Sequence, residues 1–317
     1  MEAAILVLVG AIVADLAFGD PKNKYHPTAW VGALVAKMAP FGKSMRSEKA
    51  GGIIVTITIT SLVASLVFAY GLLVQDLDGL MLVFSILAGA LLLKSTIAIR
   101  GLEEYGRKVI ESLSSDDMDE ARTRLAMLVK RNTGDLDRGH IASGVLETTS
   151  ENIVDGITGP IFYYAVFGLA GAFVYRTVNT IDSMMGYRND MFANLGWFGA
   201  NCDKVLNYIP SRITSYLLVA AAFLAGADWR QSLLVLRRDG GKTPSPNAGY
   251  PMAAMAGALG VRFEKIGHYT LGNGKEPSVA QFEMAIRLVK ITSALFCGMV
   301  AAPLIVILSY LGWWIHV

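Results

Sequence analysis

Ile53-Ile-Val-Thr-Ile-Thr-Ile-Thr-Ser-Leu-Val-Ala-Ser-Leu-Val-Phe-Ala-Tyr-Gly-Leu-Leu-Val74 carries no charged side chain. A bilayer core about 30 Å thick takes roughly 20 apolar residues to cross as a helix, and this run has that length. Its β-branched Ile, Val and Thr are a composition that hydrocarbon tolerates in a helix. Working outward, Leu80–Ile99 is interrupted only by Lys94, expected to snorkel to the interface. Ala3–Phe18 is short and carries Asp15 near its end, and Ile291–Ile315 closes on Trp313 and Trp314, an aromatic belt. Ile157–Tyr175 contains Pro160, Gly168 and Gly171, so it reads as one broken helix or as a re-entrant hairpin. Ile213–Gly226 is short for a span unless its flanks contribute.

Composition agrees. Of 317 residues, 53% are hydrophobic and 17% charged, against roughly 25% charged in soluble domains. Mean hydropathy is +0.46. The expectation is an all-α, polytopic membrane helical bundle, one membrane-embedded domain over 1–317, with broken or re-entrant segments and amphipathic surface helices in the loops. The spans are 3–18, 53–74, 80–99 and 291–315, with 157–175 and 213–226 ambiguous. The residues 19–52, 100–156, 176–212 and 227–290 read as polar connections. Lys plus Arg is 28 and Asp plus Glu is 26, a net charge of +2, which excludes nucleic-acid binding by charge neutralisation. Cys202 and Cys297 offer neither a disulfide framework nor zinc-ligand spacing. The start Met1-Glu2-Ala3-Ala4 lacks the basic n-region of a signal peptide, so the first segment reads as a retained helix. Lys and Arg cluster in 19–52, after Arg100 and around Arg237, which places those loops in the cytoplasm and both termini outside. Ser114–Val129 reads as a surface helix capped by Ser114 or Ser115, with Met118, Ala121, Leu125 and Leu128 on its apolar face.

The polar chemistry concentrates in three stretches. After Thr133, Asp135 or Asp137 as cap, a helix to about Asp155 stacks Glu147, Glu151 and Asp155 at i, i+4 and i+8, with Ser143 extending the stripe and Asn152 beside it. Like charges at that spacing repel, unless a cation such as Mg²⁺ sits among them; a solvated acidic face is the competing reading. In Arg176–Asp190, Asn179, Asp182 and Ser183 share a helical face, with Tyr187, Arg188 and Asn189 after the Gly186 break. Amides, a carboxylate and a guanidinium suit a phosphate and a carboxylic acid, though capping residues would look similar. Asn207 and Arg212 lie at a membrane entry point, where an Arg alone is an interface anchor. Gly240-Gly241-Lys242-Thr243 imitates a P-loop tail, but Leu236 stands where the motif needs Gly, and Pro244 and Pro246 forbid the following helix. The loop Ser245-Pro-Asn247 is an anion-binding turn or a plain surface turn.

These stretches resemble a known family. Asp20-Pro with His26-Pro, Gly134-Asp-Leu-Asp-Arg138, Glu147-Thr-Thr-Ser-Glu-Asn-Ile-Val-Asp-Gly156, Tyr175-Arg-Thr-Val-Asn-Thr-Ile-Asp-Ser-Met-Met-Gly-Tyr-Arg188, Leu206-Asn-Tyr-Ile-Pro-Ser-Arg-Ile-Thr214 and Ser245-Pro-Asn-Ala-Gly249 are similar to the adenosylcobinamide-phosphate synthases of cobalamin biosynthesis, the integral membrane CobD/CbiB family. Asn201-Cys-Asp203 departs from a more acidic pair expected there.

The resemblance implies an ATP-dependent ligase joining adenosylcobyric acid to aminopropanol phosphate or aminopropanol, with Mg²⁺, through an acyl phosphate. It implies a multi-pass cell-membrane protein in the lipid bilayer, with other corrinoid-pathway membrane enzymes as partners. The roles carried with it are metal binding by Glu147, Glu151 and Asp155. Catalysis falls to Asp182, Glu151 and Arg188, with Asp182 as metal ligand or base. Substrate and phosphate contacts fall to Arg138, Asn152, Asn179, Tyr187, Asn207, Arg212, Ser245 and Asn247. The rival classes are a transporter or channel, which also keeps carboxylates in the membrane, and a non-catalytic scaffold for corrinoid enzymes.

Overall fold

A computed structural model describes residues 1–186 and 193–313; Trp314 and Ile315 of the expected last span lie outside them. In chain order the α-helices are α1 (Glu2–Phe18), α2 (Pro27–Ser44), α3 (Glu48–Val74), α4 (Gly79–Lys94), α5 (Ile99–Ser114), α6 (Met118–Ala126), α7 (Arg138–Ile153), α8 (Gly159–Met185), α9 (Trp197–Ala225), α10 (Trp229–Asp239), α11 (Gly249–Leu259), α12 (Phe282–Phe296) and α13 (Ala302–Tyr310). One small hairpin, β1 (Phe263–Lys265) and β2 (Tyr269–Leu271), pairs antiparallel with Phe263 opposite Leu271. The all-α expectation holds. Among the described residues, five helical stretches qualify to cross a bilayer by length and composition alone: Glu48–Val74, Gly79–Ser114, Arg138–Met185, Trp197–Ala225 and Val279–Tyr310, of which the third is broken within its length as described below. The flanks do contribute to the fourth, since the short apolar stretch at 213–226 is the end of a 29-residue helix.

The chain divides into two compact units that interleave in sequence. The first comprises Met1–Ala98, Asp155–Asn207 and the chain from Cys297 onward, and the second comprises Ile99–Val154 and Tyr208–Phe296.

In the first unit, α1 buries Ala4, Val7, Leu8, Ala11 and Asp15 on one stripe while Leu6, Val9 and Val13 face outward. In α3 only 28% of the most apolar window is buried, and Leu62, Leu66, Phe68, Leu72 and Leu73 are exposed. An outward apolar surface on that scale has lipid as its natural solvent. The connection 19–52 proves to hold a helix: α2 starts with Pro27 in its first turn, and the His26 ring nitrogen accepts the Thr28 N–H at 3.2 Å. Val31 and Val35 of α2 pack with Val55, Ile59, Ile181, Met185 and Leu195 in a buried cluster. Lys94 does not snorkel. It is buried, with its Nζ 2.9 Å from Asp20 and 3.7 Å from the fully buried Asp15, because two carboxylates at the end of α1 hold the ammonium inside. At Asp20, burial raises the carboxyl pKa, but the His26 and Lys94 hydrogen bonds outweigh it and hold the group below its ordinary range.

The structure resolves the ambiguous stretch 157–175 as a hairpin. Within α8, Phe167 leaves the helical region and Gly168 takes φ 66°, a left-handed conformation that glycine adopts without strain. Beyond it the chain folds back: the Tyr163 and Tyr175 rings stack at 5.3 Å, whereas twelve residues of straight helix would separate them by roughly 18 Å. The arm from 159 to 167 rises only about 13 Å, too little to span. Before it, Val154–Thr158 forms a π-turn. Pro160 explains it: a proline leaves the carbonyl four residues earlier without its helical donor, and that carbonyl, Gly156 O, instead accepts the Ala98 N–H at 2.9 Å. Pro210 in α9 does the same, and the freed Leu206 carbonyl accepts the Tyr163 hydroxyl at 3.0 Å.

In the second unit α7 is the central rod, buried from Ile141 to Glu147 and again at Thr149, Ser150 and Ile153. Its cap is Asp137, which accepts the His140 N–H at 2.8 Å. The surface helix expected at 114–129 is α6, shorter than read. Asp117 rather than Ser114 or Ser115 caps it, accepting the Glu120 N–H at 3.0 Å, because α5 continues through Ser114. Ala121 and Leu125 are its buried face.

Candidate functional site

The first unit gathers polar groups from three helical segments at one place. The π-turn supplies Asp155. The second arm of α8 supplies Tyr175, Arg176, Asn179 and Asp182, and the first turns of α9 supply Asp203 and Asn207. Asp203 lies at the centre. Asn179 Nδ2 donates to its Oδ1 at 3.2 Å and Asn207 Nδ2 to its Oδ2 at 3.1 Å. Both partners are neutral amides, and the Asp155 and Asp182 carboxylates act on Asp203 electrostatically from the other helices. Asn207 is oriented in turn by the Tyr175 hydroxyl, which donates to its Oδ1.

Tyr175 is fully buried, and a side chain at Gly159 would fall 2.2 Å from its ring, so glycine at 159 is what lets the ring reach the cluster. Arg176 Nη1 donates to the Asp155 carbonyl at 3.1 Å and to Asn179 Oδ1 at 3.3 Å, tying the π-turn to α8. Gly186 N–H closes α8 on the Asp182 carbonyl. The Asp203 carboxylate, fixed by two oriented amides and within electrostatic reach of Asp155 and Asp182, offers hard oxygen of the kind Mg²⁺ takes alongside phosphate oxygens and water.

The second unit holds the other predicted residues in different ways. Glu147 is buried and saturated. Ser143 Oγ donates to it at 2.7 Å, Tyr269 OH at 2.7 Å and Arg131 Nη2 at 3.3 Å. Ser143 also accepts the Glu264 N–H at 2.9 Å, linking α7 to β1. Burial raises the Tyr269 hydroxyl pKa far above its ordinary value, and the charges of Glu147 and Glu151 add to it. Glu151 thus lies within electrostatic reach of that tyrosine.

Asn152 donates back to the Thr148 carbonyl at 2.9 Å, and Arg138 makes an exposed ion pair with Asp116 at 2.8 Å. Arg212 is a clamp: its guanidinium donates to Asn247 Oδ1 and to the Pro246 carbonyl, and lies over the Tyr208 and Tyr250 rings at 3.8 and 4.3 Å. Ser245 Oγ accepts the N–H groups of Asn247 and Ala248, so these two amides are turned inward on the loop itself. Lys242 pairs with Asp239 at 2.6 Å, and the next helix starts only at Gly249. The rejected P-loop is absent among the described residues.

The family model for the CobD/Cbib protein matches residues 8–310. The chain belongs to the CobD/Cbib family. It is 42% identical over 272 residues to the probable cobalamin biosynthesis protein CobD of Methanothermobacter thermautotrophicus, covering 86% of this chain and 87% of that one. It is 37% identical over 284 residues to the cobalamin biosynthesis protein CobD of Dehalococcoides mccartyi, covering 87% and 89%. With the probable CobD of Thermoplasma volcanium it shares 33% identity over 306 residues, covering 96% and 99%. No solved structure matches the chain.

Of the residues that the sequence singles out in this CobD/Cbib protein, Asp155, Asn179, Asp182 and Asn207 come together in the first unit. Glu147, Glu151, Asn152, Arg138, Arg212, Ser245 and Asn247 belong to the second, where Arg212 and Asn247 meet each other. Asp155 lies past the end of α7, where the α-helical period that aligned it with Glu147 and Glu151 no longer applies. Tyr187 and Arg188 lie outside the described residues. Asp203, Tyr175 and Arg176 were missed as site residues. The available signal was Asp203 and Asn207 at i and i+4 beside a membrane segment, the spacing already used for the glutamates.

Proposed function

We propose that this CobD/Cbib protein acts in cobalamin biosynthesis as an ATP-dependent amide ligase, joining adenosylcobyric acid to aminopropanol phosphate or aminopropanol to give adenosylcobinamide phosphate or its dephospho form. The observation that carries the reading is Asp203, held by two oriented amides and within electrostatic reach of Asp155 and Asp182 in one unit. In the proposed reaction a propionate oxygen attacks the γ-phosphorus of ATP and ADP leaves. The amine nitrogen then attacks the acyl carbon, phosphate leaves, and the ammonium proton passes to a carboxylate. Asp182 is the proposed acceptor of that proton, a general-base role.

Asp155 and Asp203 are the residues that would hold Mg²⁺, and such an ion would screen phosphate charge. Asn179 and Asn207 keep the Asp203 oxygens in place, and Arg176 braces the π-turn that presents Asp155. In this reading Asp155 keeps its place in the metal set read from the sequence, while Glu147 has its own cation in Arg131. The protein would be multi-pass in the cell membrane with its basic loops in the cytoplasm.

The test is purified full-length protein with ATP, Mg²⁺, adenosylcobyric acid and aminopropanol phosphate, with the corrinoid product weighed by mass spectrometry. One ADP formed per corrinoid amide is the expected result. Corrinoid returned unchanged by a folded, membrane-inserted protein would overturn the ligase reading.

A further inference from the structure

The start of α7 and the segment that follows β2 bring an imidazole and two carboxylates together in the second unit. Asp137, His140 and Glu276 each offer one ligand atom, and these atoms lie within 4.8 Å of one another. Each is placed by its own backbone. Asp137 caps α7, accepting the His140 N–H at 2.8 Å, so its carboxylate cannot swing away without uncapping the helix. His140 stands in the first turn with Nδ1 2.8 Å from Asp137 Oδ1. Two atoms bonded to one ion at about 2.1 Å and at right angles are roughly 3 Å apart. This pair therefore has the spacing of neighbouring ligands, and an ion would take the place of the proton it shares.

Glu276 comes from a segment pinned on both sides. Before it, the Lys275 N–H is accepted by the Gly260 carbonyl at 3.1 Å and the Lys275 carbonyl accepts the Arg262 N–H at 2.8 Å. After it, Pro277 confines Glu276 to extended backbone, and Ser278 closes a capping box with Gln281. The side chain is then seated on Gly139, where a Cβ would overlap Oε1, Cδ and Cγ of Glu276. Glu276 makes no hydrogen bond or ion pair with a described residue, and the neighbouring Arg138 is spent on Asp116 at 2.8 Å. A carboxylate without a partner, laid over a glycine between a helix cap and an imidazole, is more than an acidic patch. Nitrogen beside oxygen selects a divalent transition ion over Mg²⁺ and Ca²⁺, which favour oxygen alone. Three protein ligands leave positions for water. With the His140 side chain 21% exposed and that of Asp137 64% exposed, an ion can enter from solvent.

We infer that Asp137, His140 and Glu276 bind a divalent transition-metal ion that clips the 272–278 segment to the first turn of α7. The site shares no residue with the cluster around Asp203 and is independent of the ligase reading.

The experiment is calorimetric titration of the detergent-solubilised, tag-free full chain with Zn²⁺ in the presence of millimolar Mg²⁺. One equivalent is expected to bind. His140→Ala, which leaves the Asp137 cap in place, is expected to weaken binding at least tenfold. Gly139→Ala is the sharper variant. Alanine favours the helix over glycine, so α7 should keep its helicity by circular dichroism, while the displaced Glu276 lowers Zn²⁺ affinity at least fivefold. Asp203→Asn is expected to bind Zn²⁺ as the natural protein does. No binding by the natural protein, or full affinity in His140→Ala, overturns the site. Full affinity in Gly139→Ala removes Glu276 from the ligand set and overturns the clip. Loss of Zn²⁺ in Asp203→Asn, or its displacement by Mg²⁺, would place the ion elsewhere and overturn the inference as well.

Discussion

Asp203 in the first unit and Glu147 in the second are both carboxylates held on helices among buried side chains, yet they are balanced differently. Glu147 has a guanidinium, a phenol and a hydroxyl of its own. Asp203 has two neutral amides and faces two more carboxylates. A buried charge with an internal counter-ion is a structural element, and removing one partner costs stability. A carboxylate surrounded by amides and by like charge keeps an attraction for an outside cation. The comparison separates a carboxylate that holds the fold together from one fitted to bind something.

The largest expected effect breaks the comparison along that line. Asp203→Asn should lower corrinoid amide formation by at least a hundredfold while leaving the thermal midpoint in detergent within a few degrees of the natural protein. Glu147→Gln should do the opposite. It leaves Arg131 buried without its counter-charge, a loss of about 3 kcal/mol, readable as a lower unfolding midpoint, with residual turnover in the folded fraction. If Asp203→Asn unfolds the protein and Glu147→Gln abolishes turnover without destabilising it, the two roles are reversed.

Next in size is Lys94→Met. The ammonium lies beside the fully buried Asp15 and the Asp20 carboxylate, so its loss should cost about 3–5 kcal/mol. Adding Asp15→Asn to the same chain should restore part of it. That rescue, measured by chemical unfolding in detergent, would extend the structural class to a second site in the first unit. Its absence would mean that Lys94 acts through packing alone.

What could be read beforehand follows from what each signal measures. Hydropathy over a window sees lipid exposure, so α3, α4 and the last span were legible from composition. It is blind to direction, which is why 157–175 stayed open until the left-handed Gly168 showed the reversal. Local charge density hid α2, whose flanking lysines made the segment look like a loop although His26-Pro27 is a sound helix start. Lys94 was misread because its partners lie more than seventy positions away, and strands as short as β1 and β2 leave no periodicity to detect. The site was half legible for the same reason. Asn179 and Asp182 share a helix face, as Asp203 and Asn207 share another, but only the fold brings Asn179 onto Asp203. The stripe that suggested Asp155 assumed one unbroken helix through a segment that Pro160 forces into a π-turn.

The smallest expected effect concerns a third carboxylate, at the end of α10. Asp239 is buried and takes Arg238 at 2.6 Å, Lys242 at 2.6 Å and the Gly272 N–H at 2.8 Å. Burial alone would raise its pKa, but these three bonds outweigh burial and hold the carboxyl well below the usual carboxylate range. A folded-state value below the unfolded one, about 3.9, stabilises the fold fully above that pH and is lost as the medium is acidified towards the folded value. The unfolding midpoints of the natural protein and of Asp239→Asn should therefore differ most at neutral pH and converge below about pH 4. Both cations are half-exposed, so the gap should also narrow in high salt. A difference constant across that range would place Asp239 outside the self-neutralised class that Glu147 defines, and would make its bond to the Gly272 backbone, rather than its charge, what matters to the fold.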